Sequence, residues 1–126
     1  MPKVLIVEDN ELNLRLFNDL LMMRKFDIIT SRDGLGIQEL VEKEKPDLIL
    51  MDIQLNGISG IDLIRMLKRN SDTKHIPIIA VTAFAMKNDE ARISASGCEI
   101  YLSKPVSIGS FFEAVDKCIK SYSESK

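Results

Sequence analysis

The stretch DLILMDIQLNGISG, residues 47–60, runs four apolar side chains, Leu48, Ile49, Leu50 and Met51, straight into a carboxylate at Asp52. An unbroken apolar run of that length reads as a strand buried on both faces, the pattern of a parallel sheet covered by helices. An acid is costly to desolvate, so one placed directly behind such a strand calls for a chemical reason.

Three more blocks have the same character: Val4-Leu5-Ile6-Val7, Ile78-Ile79-Ala80-Val81 and Ile100-Tyr101-Leu102. A fifth, Asp27-Ile28-Ile29-Thr30, has a shorter apolar run and is more polar, which suits a sheet edge. Between them lie segments with helical spacing: Leu12, Leu16, Leu20 and Met23; Ile37, Leu40 and Val41; Ile61, Ile64 and Leu67; Phe111, Phe112, Val115 and Ile119. The weakest helix is expected over Asn88–Ser96, with Asn88 as N-cap and Gly97 as its stop. Gly36 falls inside the second helix, where glycine costs about 1 kcal/mol relative to alanine. Strand and helix alternate five times, which predicts an α/β fold, (βα)5 and doubly wound, with a five-stranded parallel sheet of order 2-1-3-4-5 and helices on both faces. In that order the ligand crevice lies at the carboxyl ends of the first and third strands.

The chain has 126 residues, enough for one domain with one core. No stretch approaches the roughly 20 apolar residues of a membrane span, and a net charge of −2 without a Lys/Arg cluster argues against nucleic acid as a partner. Met1 leads directly into the first strand with no secretory pattern, so a cytoplasmic protein without membrane insertion is expected. Cys98 and Cys118 lack metal-ligand spacing and read as small core hydrophobes. The sole histidine, His75, has no partner at ligand spacing and reads as a solvated loop residue, and Met22 and Met23 read as packing residues.

Each long strand is followed at once by a residue that can handle a metal or a phosphate: Glu8-Asp9, Asp52, Thr82, and Ser103-Lys104. In a parallel sheet these ends share one edge, so residues about forty positions apart converge. Three carboxylates there repel, and one must hold its proton unless a cation compensates. Mg²⁺ takes oxygen ligands and fits Asp9, Asp52 and a loop carbonyl, with Glu8 acting directly or through water. Calcium is a second candidate, but no twelve-residue loop of alternating acids is present. With Lys104 and the Thr82 hydroxyl the set suits a phosphoryl group, and Asp52 would attack in line to give an aspartyl phosphate.

The motifs VLIVEDN, LILMDIQL, IIAVTAFA and YLSKP, in this order and spacing, resemble the receiver domain of two-component response regulators over essentially the whole chain. EDNELN, TAFAM and GC-x-x-Y-x-SKP further resemble the single-domain cell-division regulators of alphaproteobacteria. The resemblance implies that Asp52 accepts phosphate from a sensor histidine kinase or histidine phosphotransfer protein. It implies Mg²⁺, replaceable by Mn²⁺, on Glu8, Asp9, Asp52 and the backbone carbonyl of Gln54. Thr82 and Tyr101 match the family's switch pair, Lys104 its lysine, and Pro105 the proline that often follows a cis bond. A downstream protein would read the face formed by the fourth helix, fifth strand and fifth helix. The expected organisation is a receiver over 1–122, a polar tail at 123–126 and no output domain, in a protein that is not an enzyme and is recruited to a cell pole by partners.

Receivers commonly carry proline four places after the phosphoacceptor; here that place is Asn56, followed by Gly57, a pair that favours positive-φ turns. Gln54 and Phe84 are expected to flank the water that removes the phosphate. A ring at Phe84 cannot orient that water, so slow self-dephosphorylation follows. The nearest rival function is a phosphorelay shuttle using the same pocket. A haloacid-dehalogenase-type phosphatase needs a second acid where Gln54 stands, and a flavodoxin-like carrier would find its phosphate repelled by Glu8-Asp9-Asn10-Glu11.

Overall fold

The computed structural model describes residues 2–55, 57–83 and 87–124, with backbone alone for 87–89 and 120–124. The main sheet comprises β1 (Lys3–Val7), β2 (Asp27–Ser31), β3 (Leu48–Asp52), β6 (Ile78–Thr82) and β7 (Ile100–Ser103). The helices are α1 (Glu11–Met23), α2 (Ile37–Glu44), α3 (Gly60–Arg69), α4 (Lys87–Ala95) and α5 (Ile108–Glu124). The strands pair in parallel in the order β2-β1-β3-β6-β7, which counted within this sheet is 2-1-3-4-5. The polar second strand lies at an edge, as its composition predicts.

Strand pleating divides the core into two layers. Leu5, Val7, Ile49, Met51, Ile78 and Ala80 face α2, α3 and α4, where they meet Ile37, Val41, Ile64, Leu67 and Ile93. Val4, Ile6, Leu48, Leu50, Ile79 and Val81 face α1 and α5, where they meet Phe17, Leu21, Phe111 and Val115. Phe17 stacks on Phe111 with ring centroids 5.3 Å apart, and the Arg24 guanidinium lies 4.2 Å over Phe112 while pairing with Asp116, so α1 and α5 are joined to each other as well as to the sheet.

Several expectations are corrected. Gly36 is not inside a helix: it is the N-cap of α2, with φ +67°, a left-handed conformation that glycine adopts without strain. Asn88 is the second residue of α4 rather than its cap, while Gly97, at φ +103°, lies just past the helix. On α1 the buried residues are Phe17, Leu20 and Leu21; Leu12, Leu16 and Met23 stay exposed, as does Met22, because the sheet and α5 take the face centred on Phe17. Helix α5 continues to Glu124, through the first residues of the stretch expected to form a polar tail, since a helix nucleated on packed turns propagates into polar sequence. LNGISG holds a feature the strand count lacks, a hairpin of β4 (Gln54–Leu55) and β5 (Ile58–Ser59), antiparallel, with Leu55 buried in the α2–α4 layer. Gly57 has the positive φ, +78°, that its position after Asn56 predicts; Asn56 itself lies outside the described residues.

Candidate functional site

Asp52 ends β3 beside Val81 in register, and the pleat that sends Leu48 and Leu50 toward α1 and α5 sends Asp52 the same way. Glu8 follows β1 with the same parity, Lys104 follows β7 with the same parity, and the three side chains meet. Lys104 Nζ lies 3.2 Å from Glu8 Oε1 and 3.5 Å from Asp52 Oδ2. Glu8 and Asp52 are 1% and 3% exposed, while Lys104 retains 17% at its side chain, so the ammonium closes a pocket whose floor is acidic.

Asp9 completes the acidic set. One carboxylate oxygen from each of Glu8, Asp9 and Asp52 can be chosen so that all lie within 4.8 Å of one another, a spacing that suits one shared cation. Glu8 Oε2 accepts from Asn10 N at 3.2 Å, but Glu8 Oε1 is buried and accepts no hydrogen bond. Burial, a hydrogen bond shared with Asp52 and the repulsion of that neighbouring charge push the Glu8 carboxyl up to about 7. An all-oxygen donor set with one buried oxygen that accepts no hydrogen bond and one carboxyl driven to keep its proton fits a hard divalent cation.

The hairpin holds the loop behind Asp52. Gly60 N donates to Ile53 O at 2.9 Å, making Ile53 and Gly60 a hydrogen-bonded pair; Gln54 and Ser59 are then the alternate pair, whose backbone groups face outward. Accordingly Gln54 N donates to Asp52 Oδ1 at 3.0 Å, and its carbonyl lies on the same outward edge. A side chain at Gly60 would run into the carbonyl oxygen of Asp52 and come within 2.7 Å of Ile53 Cα, so glycine permits α3 to start this close to the strand end.

Thr82, 2% exposed, ends β6 and by alternation shares the α2–α4 side with Ala80, whose register partner is Tyr101. Tyr101 is half-buried against that layer, and a hydrogen bond to Glu90 of α4, with desolvation, holds its phenol above the ordinary tyrosine range. The carboxylates and lysine therefore occupy one side of the sheet and the Thr82–Tyr101 pair the other. Pro105 follows a cis bond from Lys104. Phe84 lies outside the described residues.

Other groups stand apart. His75 is exposed and lines, with Val41, Lys45, Pro46 and Pro77, a cavity of about 550 Å³ at the opposite ends of the strands, away from every residue of the site. Both cysteines are free; burial pushes the Cys118 thiol up to about 11 and raises that of Cys98, as for inert packing residues. Two groups near the site escape a reading of side-chain types. One is Glu90, whose partner is set by the α4–β7 approach; the other is the backbone amide of Ala83, which donates to Gln54 Oε1 at 3.2 Å. The signal for Ala83 lies only in the pairing of Asp52 with Val81, which places the residue after Thr82 at the site's edge.

Residues 4–116 match the family described as the response regulator receiver domain. The polar-differentiation response regulator DivK of Brucella anthropi is 53% identical over 123 residues, covering 97% of each chain. The receiver domain of a sensor histidine kinase from Pseudomonas aeruginosa, crystallised with a magnesium ion coordinated in its active-site cleft, superposes with a TM-score of 0.86 at 27% identity, over 94% of this chain and 98% of that one. A CheY-like receiver domain protein from Methanospirillum hungatei shares the fold with a TM-score of 0.90 at 20% identity, over 100% and 99% of the two chains. With its parallel sheet and acidic pocket already in view, the chain belongs to the response regulator receiver domain family.

Proposed function

We propose that Asp52 accepts a phosphoryl group from a phosphohistidine on a sensor kinase or histidine phosphotransfer protein, and that the resulting aspartyl phosphate controls protein contacts in cell-division control. The observation that carries this reading is the convergence of Glu8, Asp52 and Lys104 at the carboxyl ends of β1, β3 and β7, with Asp9 completing the acidic set. An Asp52 carboxylate oxygen forms the new P–O bond as the P–N bond to the imidazole breaks, and the ring nitrogen keeps the electron pair. Lys104 sets a positive charge beside the attacking carboxylate and the phosphoryl oxygens, and the Thr82 hydroxyl supplies a donor. Glu8, Asp9, Asp52 and the Gln54 carbonyl would hold Mg²⁺, or Mn²⁺ in its place, which neutralises charge on the carboxylates and on the phosphoryl group.

Movement of Thr82 toward the new group vacates space on the side of the sheet it shares with Tyr101, which couples the pocket to α4, and the α4–β7–α5 face is the surface a downstream protein reads. The protein works by changing its contacts rather than by turning over a substrate. It acts in the cytoplasm and is brought to a cell pole by its partners, a place that the name of its Brucella relatives supports. Incubation with labelled acetyl phosphate and Mg²⁺ tests the assignment: wild type gains a base-labile label and Asp52→Asn gains none. Equal labelling of the two proteins, or no label on wild type, overturns it.

A further inference from the structure

The ladder between β3 and β6 stops one bond short. In parallel strands, successive residues direct their backbone groups to alternate neighbours. Val81 faces β3, its carbonyl accepting from Ile53 N at 2.9 Å, and Thr82 faces β7, its carbonyl accepting from Lys104 N at 2.7 Å. The Ala83 amide therefore turns back toward β3, where the next acceptor in sequence would be the Ile53 carbonyl. That carbonyl is taken by Gly60 N, because the chain has left the sheet for the β4–β5 hairpin. The vacated place is filled by a side chain: Gln54 Oε1 accepts from Ala83 N at 3.2 Å, while Gln54 N donates to Asp52 Oδ1 at 3.0 Å. Gln54 thus spans from the phosphoacceptor to the end of β6, and it is exposed, so no packing holds it there.

We propose that Gln54 is a positioning residue that gates the site: its carboxamide oxygen occupies the Ala83 amide in the unmodified protein and yields that donor to a phosphoryl oxygen once Asp52 is modified. The inference rests on Asp52 being the phosphoacceptor and adds a competition at one backbone N–H. When acetyl phosphate is the donor, the Asp52 carboxylate forms a P–O bond, the bond from phosphorus to the acetyl oxygen breaks, and acetate leaves with the electron pair; no proton or redox partner is needed. An amide bound to Gln54 must be released before it can stabilise charge on the transferring group, so the gate slows phosphorylation and holds the unmodified loop in place.

The test compares wild type, Gln54→Ala and Gln54→Glu in the rate of Asp52 labelling by acetyl phosphate with Mg²⁺, corrected for separately measured label loss. The Ala83 amide signal is followed by nitrogen–proton NMR in the unmodified proteins. Gln54→Ala, with no acceptor to offer, is expected to label about two- to tenfold faster, the range of one exchanged hydrogen bond, with the Ala83 amide proton shifted upfield and exchanging faster while core amides stay in place. Gln54→Glu restores an acceptor, so its Ala83 signal returns downfield and labelling is slower than in wild type, since the carboxylate binds the amide harder and repels the incoming anion. Wild-type labelling at Asp52 with no gain in Gln54→Ala, or an Ala83 signal indifferent to the substitution, overturns the gate and leaves the phosphoacceptor standing. Absence of label at Asp52 in wild type overturns both.

Discussion

The Glu8 carboxyl is buried beside that of Asp52, under the Lys104 ammonium. Its folded pKa, about 7, lies above the ordinary 4.5, because burial and the neighbouring carboxylate disfavour its charge. The metal-free protein therefore binds more protons than the unfolded chain between those values. The stability Glu8 contributes is complete below about pH 4.5 and lost as pH rises through 7. Were Mg²⁺ held by the same oxygens, as proposed above, its binding would release a proton and tighten with pH. Calorimetric titration is expected to find Mg²⁺ bound about tenfold more weakly at pH 6 than at pH 8, with the difference flattened in Glu8→Gln. Equal wild-type affinities at the two pH values would show that Glu8 carries its charge throughout. The motif VLIVEDN shows that an acid follows β1, but its charge state depends on Asp52, 44 positions away.

Two glycines at helix starts separate what local pattern can and cannot settle. Gly36, read as a mid-helix residue, would gain about 1 kcal/mol on replacement by alanine. In the structure it caps α2 in a left-handed conformation with open space where a Cβ would stand, so the sign reverses. Gly36→Ala is expected to lose about 1–2 kcal/mol in urea unfolding, from backbone strain alone. Gly60→Ala meets backbone instead of space. It is expected to lose about 1–3 kcal/mol, as for overpacking, and also to slow phosphorylation of Asp52, because relief must move the loop behind the acid. A Gly36→Ala variant more stable than wild type would return that residue to the helix interior. The β4–β5 hairpin marks the same boundary: Asn56-Gly57 is visible as a turn signal, but two-residue strands carry too little alternation to be read as strands.

Across the molecule, the sheet separates two cores, and only the α1–α5 side holds the aromatic stack of Phe17 on Phe111. Phe111 is fully buried, so Phe111→Ala is expected to cost about 3–5 kcal/mol in urea unfolding; a loss below about 1 kcal/mol would mean that α5 is not anchored by that stack. The sequence by itself determined the five apolar blocks, their parallel order and the polar residue after each, because burial on both faces leaves a continuous apolar run and a strand end must meet solvent. Tertiary structure alone decided which of those residues touch: Lys104 reaches Glu8 across 96 positions, Asp52 sits in register with Val81, and Gln54 spans to Ala83. It also decided which of the apolar stripes on α1 is buried. Periodicity records how a residue is buried, whereas contacts, charge states and open backbone donors depend on strand register and on distances of a few ångströms, which no local pattern encodes.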